Sequence, residues 1–177
     1  MVGKMGCGMK RICLIGFMGS GKTTIGEALA NQLAVPWIDL DMYIAQQAHK
    51  SISQIFSESG EKHFRKLESL CLEQVLAENE GVISTGGGII TTPENIEKLH
   101  KEITIYLSYP FETLYNRIAK DETRPLATSY EALKERFYSR LALYEKACQI
   151  VINCQDKSIN CITEEIINKI SKLEKIS

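Results

Sequence analysis

A glycine-rich segment near the amino end of the chain has the residue types needed to hold a phosphate chain. Residues 16–23 read GFMGSGKT, which fits the pattern G-x-x-x-x-G-K-[ST]. The glycines let the backbone turn with its N–H groups facing inward, Lys22 supplies a charge for the β and γ phosphates, and Thr23 offers a hydroxyl to Mg²⁺. The segment predicts a site for ATP and Mg²⁺. We expect the nucleotide to contact Gly19, Ser20, Gly21, Lys22, Thr23 and Thr24.

The residues on either side of this segment supply the structural context that the pattern requires. Residues 12–15 form a short apolar run, and residues 25–33 show the three-to-four spacing of an amphipathic helix. A strand, a loop and a helix therefore follow one another, and the positive end of the helix dipole faces the loop. Eight matching positions in that context favour nucleotide binding over an ordinary glycine-rich turn.

Two carboxylates stand directly after the second apolar strand candidate, in the sequence Asp39-Leu40-Asp41. Residues two apart on a strand point the same way, so both can face a cleft at the carboxyl edge of a sheet. One of them could then serve a metal and the other a substrate. The alternative is that Asp41 caps a helix beginning at Met42, and the residues alone leave both interpretations open.

The elements that must position these groups alternate along the chain. Five short apolar strand candidates are separated by helical patterns, which predicts an α/β fold with a five-stranded parallel sheet between two helical layers. We expect residues 1–10 to be a loose extension and residues 11–177 to form a single domain. The predicted strands are 12–15, 37–40, 82–84, 103–107 and 150–153, and the predicted helices are 25–33, 61–78, 93–100, 111–119, 130–147 and 163–175.

Composition limits which binding partners and which cellular compartment are expected. Lys plus Arg is 21 against 22 for Asp plus Glu, a net charge of −1 that offers no broad field for nucleic acid or anionic lipid. The six cysteines are scattered without metal-ligand spacing, and no apolar run approaches the roughly 20 residues that cross a bilayer. We expect a monomeric cytoplasmic protein with a small-molecule substrate, no nucleic-acid partner and no membrane association.

Several classes of nucleotide-binding protein are disfavoured by what the sequence lacks. The 177 residues contain no N-K-x-D run that would read guanine, and no later hydrophobic strand ends in the acidic pair typical of a hydrolase. A kinase for a small acceptor is therefore favoured.

Six short motifs occur in one order with short spacings: GFMGSGKTTIG, DLD, SISQIF, FRKLE, TGGG and RPL. In this combination, over about residues 11–153, the chain resembles the shikimate kinase family. The resemblance implies a P-loop kinase fold like that of nucleoside monophosphate kinases, with a lid. It also implies transfer of the γ-phosphoryl group of MgATP to the 3-hydroxyl of shikimate, a step of chorismate and aromatic amino acid biosynthesis.

The same resemblance assigns roles to the acidic pair and to one helix. It implies that Asp39 orders Mg²⁺ and that Asp41 binds ring hydroxyls of shikimate and is the likelier general base. It implies that Arg65 binds the substrate carboxylate through two parallel hydrogen bonds, a bidentate geometry that lysine cannot provide. Glu68 lies three residues on and can hold Arg65 in place, although an ordinary surface ion pair is the alternative at this spacing.

Further positions carried over from the family complete the expected site. Gly87 and Gly88 would contact substrate hydroxyls, where a tight turn is the alternative. Arg124 lies in the expected lid, about residues 120–129, and would close over the ATP phosphates as a catalytic residue beside Lys22 and Asp41; a solvated loop is its alternative.

A second arginine for the substrate carboxylate is expected at Arg140. The chain departs from the family here, because Ala142 stands where the family often has proline, and Arg136 lies one turn earlier as a rival. A kinase for another small carboxylated polyol such as gluconate, or for a nucleoside monophosphate, remains an alternative function. A regulatory module that binds nucleotide without transferring phosphate is the second alternative.

Overall fold

The fold is a parallel sheet with helices on both faces. The computed structural model describes residues 11–78, 80–120 and 129–174. The strands are β1 Ile12–Ile15, β2 Trp37–Asp39, β3 Val82–Ser84, β4 Ile103–Ser108 and β5 Ile150–Asn153. The helices are α1 Lys22–Leu33, α2 Leu40–Ala48, α3 Ile52–Glu78, α4 Pro93–His100, α5 Phe111–Ala119, α6 Tyr130–Ala147 and α7 Ile159–Glu174, with a short 3₁₀ turn at Ile89–Thr91.

The sheet confirms the predicted fold class. Its strand order is β2-β3-β1-β4-β5, and each neighbouring pair runs parallel. Every residue of β1 and β3 is buried, because helices cover both faces of the central strands. Residues of the edge strand β5 alternate between buried and exposed. Because these strands are parallel, the carboxyl ends of β1, β2 and β3 lie at the same edge of the sheet.

Two groups of helices cover the sheet. Helix α1 packs against α7, whereas α6 packs against both α4 and α5. Within the described residues, no helix has the length and apolar character needed to cross a membrane.

Several elements begin earlier than the sequence predicted. The range Ile52–Glu78 joins two helices across a kink at Gly60, which has a φ of 78°, and the predicted helix at 61–78 matches the second of them. The first begins at Ile52, before the predicted start, where Ser51 and Gln54 form a reciprocal cap: Ser51 N donates to Gln54 Oε1 at 2.8 Å, and Gln54 N donates to Ser51 Oγ at 3.2 Å. Helix α7 likewise begins at Ile159, four residues before the predicted start.

The start of α2 settles the alternative raised for the acidic pair. Asp39 is the N-cap residue, and its Oδ1 accepts a hydrogen bond from Met42 N at 3.1 Å. The helix begins at Leu40, so the interpretation of Asp41 as the cap is wrong. The argument from strand alternation is also wrong, because β2 ends at Asp39 and Asp41 lies in the first helical turn.

Some expectations concern residues outside the described ranges. They are the extension at 1–10 and most of the expected lid at 120–129, including Arg124.

A three-residue contact fixes the first turn of α1 against the sheet. Trp37 Nε1 donates to Ser84 Oγ at 3.0 Å, and that hydroxyl donates to the carbonyl oxygen of Lys22 at 2.7 Å. Gly26 lies one turn further along α1, where an added Cβ would fall 2.2 Å from Ser84 Oγ and 2.8 Å from Trp37 Nε1. The glycine is therefore required by close packing.

Replacing Gly26 by alanine should lower stability even though alanine is the better helix former. We expect Gly26→Ala to reduce the free energy of unfolding by about 1–3 kcal/mol, because the methyl group overpacks the Trp37–Ser84 contact. Urea denaturation measures this change. Gln32→Ala, at an exposed position of the same helix, should stay within about 0.5 kcal/mol of the parent. A Gly26→Ala variant as stable as the parent would contradict the packing argument.

Candidate functional site

Strand pairing brings three functional segments to one edge of the sheet. Residue Leu14 of β1 pairs with Ser84 of β3, and Ser84 also pairs with Asp39 of β2. Because the strands are parallel and in this register, the phosphate loop, the acidic pair and the glycine segment after β3 all leave the sheet side by side.

The phosphate loop has the backbone geometry that its glycines predict. Gly19 and Gly21 both have a φ of 79°, a left-handed conformation in which a side chain is strained. The ammonium group of Lys22 lies inside the loop and donates to the carbonyl oxygens of Gly16 at 2.8 Å and Phe17 at 3.1 Å. Lys22 is nearly buried, so water screens its positive charge only weakly at the place where a phosphate would bind.

The oxygen ligands available next to the loop fit Mg²⁺. Thr23 Oγ1 donates to Asp39 Oδ2 at 2.7 Å, which places one hydroxyl and one carboxylate together. In the described part of the chain, no group of three or more His, Cys, Asp or Glu side chains could hold a metal. Magnesium suits such a sparse oxygen set, because it takes one or two protein ligands and completes its shell with phosphates and waters.

A cavity of about 300 Å³, here called the loop cavity, lies over these groups. Most of the residues predicted to bind nucleotide or metal line this cavity. Ser20 and Thr24 do not line it, and the Ser20 side chain is fully buried. Its lining includes Gly19, Gly21, Lys22, Thr23, Asp39, Asp41 and Gly87.

A second cavity of about 330 Å³, here called the arginine cavity, lies beside the first. Its polar lining combines three arginines with three carboxylates, and its apolar lining comes mostly from α3. The polar residues are Arg65, Arg136, Arg140, Asp41, Glu61 and Glu68, and the apolar ones include Ile52, Phe56 and Phe64.

The two cavities share a wall. Met18, Asp41, Gly86 and Gly87 line both of them. A group bound in one cavity therefore faces a group bound in the other across the Asp41 carboxylate, which is the arrangement that a transfer reaction needs.

Arg65 is held by a buried partner. Its Nη1 donates to Glu68 Oε2 at 2.6 Å, and the Glu68 side chain is 0% exposed. The alternative of an ordinary surface ion pair is therefore wrong. Glu61 is a weaker partner, at 3.5 Å from Arg65 Nη2 with its side chain 66% exposed.

This ion pair leaves unused hydrogen-bonding capacity at the cavity. Arg65 Nε and Glu68 Oε1 are both buried, and neither has a hydrogen-bond partner among the described residues. Burial raises the pKa of Glu68 above its ordinary value, the Asp41 carboxylate adds to the rise, and the Arg65 guanidinium opposes it. Buried polar atoms without partners are costly, so the geometry favours a polar ligand at this position.

The glycine segment after β3 allows three polar side chains to approach the backbone. A Cβ added at Gly86 would fall 2.9 Å from Asp41 Oδ1 and 3.0 Å from Glu68 Oε1. A Cβ added at Gly88 would fall 2.3 Å from Arg65 Nη2. The segment is therefore part of the site as well as a turn after the strand.

Arg140 reaches the same segment from α6. Its Nη1 donates to the carbonyl oxygen of Gly87 at 3.3 Å, and its guanidinium lies 5.9 Å from the ring centre of Phe17. Burial lowers the pKa of Arg140 from its usual value. Helix α6 continues through Ala142, and the rival Arg136 also lines the arginine cavity from an exposed position.

Arg117, which no sequence pattern indicated, also lines the loop cavity. Its guanidinium stacks 4.3 Å from the ring centre of Tyr109, and its Nη1 donates to the carbonyl oxygen of Gly19 at 3.3 Å. No motif spacing marks this residue, because its contact with the phosphate loop joins residues that are distant in the sequence.

Comparison with known proteins shows the family of this chain. The family model described as "Shikimate kinase" matches residues 18–171. The chain belongs to the shikimate kinase family. A curated shikimate kinase of Persephonella marina is 40% identical over 164 residues, which cover 92% of this chain and 99% of the relative.

Solved structures of the family agree with this assignment. The shikimate kinase of Acinetobacter baumannii, solved in complex with shikimate, matches with a TM-score of 0.86 and 31% identity over 93% of this chain and 94% of that one. A gluconokinase of Sinorhizobium meliloti matches with a TM-score of 0.63 at 17% identity over 93% of each chain, a likeness that concerns the fold alone.

Family membership confirms the predicted activity. The chain is a phosphotransferase that uses ATP to phosphorylate shikimate in aromatic amino acid biosynthesis. Its three-layer fold is that of the P-loop kinases, as the sequence predicted.

The two glutamates that contact Arg65 should differ sharply in their effect on stability. We expect Glu68→Gln to lower the free energy of unfolding by about 3 kcal/mol, because the change breaks a buried ion pair and leaves Arg65 without its closest partner. Glu61→Gln is the matched control, and it should stay within about 0.5 kcal/mol of the parent because that pair is exposed. Urea denaturation of both variants tests the difference. Equal effects would contradict the assignment of Glu68 as the buried anchor.

Proposed function

We propose that the chain transfers the γ-phosphoryl group of MgATP to the 3-hydroxyl of shikimate and releases shikimate 3-phosphate and ADP. The observation that carries this proposal is the shared wall, where Asp41 and Gly87 line both the loop cavity and the arginine cavity. The related enzyme of Acinetobacter baumannii in complex with shikimate supports the choice of acceptor. ATP would occupy the loop cavity and shikimate the arginine cavity.

The donor side of the proposal rests on the phosphate loop. The N–H groups around Gly19 and Gly21 and the start of α1 would hold the phosphates, and Lys22 would offset their charge. Ser20 supports Lys22, because its Oγ accepts from Lys22 Nζ at 3.4 Å. Thr24 follows in the first turn of α1, where its N–H group is one of those not yet paired within the helix.

Thr23 and Asp39 are the residues proposed to hold Mg²⁺. The ion would neutralise charge on the β and γ phosphates when it is bound. Asp39 is positioned for this by its capping bond to α2, which fixes one carboxylate oxygen and leaves the other beside Thr23.

The acceptor side rests on the arginine cavity. Arg65 and Arg140 would bind the carboxylate of shikimate, since two guanidinium groups provide several N–H donors in planar forks. The unpartnered atoms Arg65 Nε and Glu68 Oε1 support a ligand that both accepts and donates hydrogen bonds, which a hydroxylated acid does. Gly87 and Gly88 would contribute backbone groups to the ring hydroxyls.

Asp41 is proposed to orient the attacking hydroxyl and to accept its proton. Phosphoryl transfer depends mainly on alignment and on neutralisation of charge, so a carboxylate between the two cavities is well placed for both tasks. Arg124 is proposed to bring a further positive charge to the phosphates from the lid at 120–129, which would also exclude water.

The proposal includes a monomeric cytoplasmic enzyme formed by one domain over residues 11–177. A single chain lines both cavities, which supports activity without a second subunit. The net charge of −1 favours no nucleic-acid or membrane partner.

A coupled assay of ADP release with different acceptors tests the proposal. We expect ATP-dependent turnover with shikimate and none above background with gluconate or AMP, because shikimate combines a carboxylate with hydroxyls on a ring, whereas gluconate has no ring and AMP has no carboxylate. Lys22→Ala should abolish turnover with every acceptor and is the negative control. Turnover with gluconate alone would instead favour the kinase alternative.

Arg65→Lys should change the KM for shikimate far more than the KM for ATP. We expect the KM for shikimate to rise about 10- to 100-fold with the KM for ATP nearly unchanged, because lysine keeps the charge and loses the planar fork. Lys66→Arg, at the exposed neighbouring position, is the matched control and should leave both constants unchanged. Steady-state kinetics measure the effect, and an unchanged KM for shikimate in Arg65→Lys would remove Arg65 from the site.

A further inference from the structure

Two donors converge on a single carbonyl group in the shared wall of the cavities. Tyr144 Oη donates to the carbonyl oxygen of Gly87 at 2.5 Å, and Arg140 Nη1 donates to the same oxygen at 3.3 Å. The shorter of the two bonds comes from the tyrosine. Tyr144 itself lines neither cavity, so its hydroxyl can act on a ligand only indirectly, through Gly87 and through the neighbouring side chain of Arg140.

The phenol of Tyr144 is fixed in direction. The side chain is 0% exposed, and its ring stacks on that of Tyr106 of β4 with centroids 4.9 Å apart and an angle of 11° between the planes. Burial raises the pKa of Tyr144 well above its ordinary value, so the hydroxyl keeps its proton and remains a donor. A rigid ring therefore presents one O–H group to one carbonyl oxygen.

Orienting the Gly87 carbonyl also orients the next N–H group. The carbonyl of Gly87 and the N–H of Gly88 belong to one planar trans peptide, so they point in opposite directions and cannot turn independently. Gly87 and Gly88 have φ and ψ angles that no Cβ restricts, so a hydrogen bond is the natural way to hold this peptide in one orientation.

We propose that Tyr144 is a positioning residue for the acceptor: its hydroxyl fixes the Gly87–Gly88 peptide and leaves the guanidinium of Arg140 available to the substrate carboxylate. This inference rests on the proposed function of the arginine cavity. Without the hydroxyl, Arg140 is the donor that remains for the Gly87 carbonyl, and it is drawn towards that oxygen. The loop cavity is affected less, because Lys22 and Thr23 are held by other contacts.

Tyr144→Phe removes one oxygen atom and keeps the stacked ring. We expect the KM for shikimate to rise about 3- to 10-fold, the loss associated with one hydrogen bond. The KM for ATP should stay within about twofold of the parent, and the midpoint of thermal unfolding within about 4 °C. The split between the two KM values is the decisive reading, because a purely structural tyrosine would change stability without it.

Two further variants sharpen the experiment. Tyr106→Phe removes the hydroxyl of the other ring in the same stack, which interacts with Ser108, and should leave both KM values unchanged. Replacement of Tyr144 by 4-aminophenylalanine restores an N–H donor at the same place and should return the KM for shikimate towards that of the parent.

The outcomes separate this inference from the function on which it rests. If the parent enzyme fails to phosphorylate shikimate, the proposed function falls and this inference falls with it. If the parent is active and Tyr144→Phe keeps the parent KM for shikimate, or raises both KM values equally, only the positioning role is overturned. A variant that merely loses thermal stability overturns it in the same way.

Discussion

The close approach of polar groups to the backbone at residues 86–88 is the constraint on which the site depends. An added Cβ would fall 2.9 Å from Asp41 Oδ1 at Gly86, 3.2 Å from Met18 N at Gly87 and 2.3 Å from Arg65 Nη2 at Gly88. Each glycine therefore makes room for a different part of the site. Since Met18 belongs to the phosphate loop and Arg65 to the arginine cavity, this segment sets the distance between them.

The arginines of the arginine cavity repel one another. Arg65, Arg136 and Arg140 approach one another closely enough for the first two to lower the pKa of the third, in addition to the effect of burial. The buried Glu68 carboxylate compensates Arg65 through a 2.6 Å contact, which satisfies one oxygen and leaves the other buried without a hydrogen-bond partner among the described residues. A bound carboxylate would reduce the repulsion between these cations. Because the fold already holds the arginines close together, this relief would contribute to the free energy of binding.

The fold and the phosphate loop could be predicted because they depend on residues that are close together in the sequence. The phosphate loop needs left-handed glycines between a strand and a helix, and the five strands are short apolar runs, so both leave direct marks in the sequence. The role of Asp39 as a cap was missed, because one carboxylate can cap a helix and meet Thr23 at the same time. Arg117 and Tyr144 act through partners 98 and 57 residues away, and no spacing rule predicts which carbonyl group such a side chain will reach.

Helix α6 connects the two sides of the site. Arg140 and Tyr144 are four residues apart on one helical face, which lets both reach the Gly87 carbonyl. One turn earlier, Phe137 packs edge-to-face against Phe17 of the phosphate loop with ring centroids 5.3 Å apart. Tyr144 in turn stacks on Tyr106 of the central sheet. The glycine segment and the phosphate loop are therefore both in contact with α6, and a shift of one relative to the other would disturb these contacts. Alignment of the two proposed ligands would thus depend on the packing of one helix.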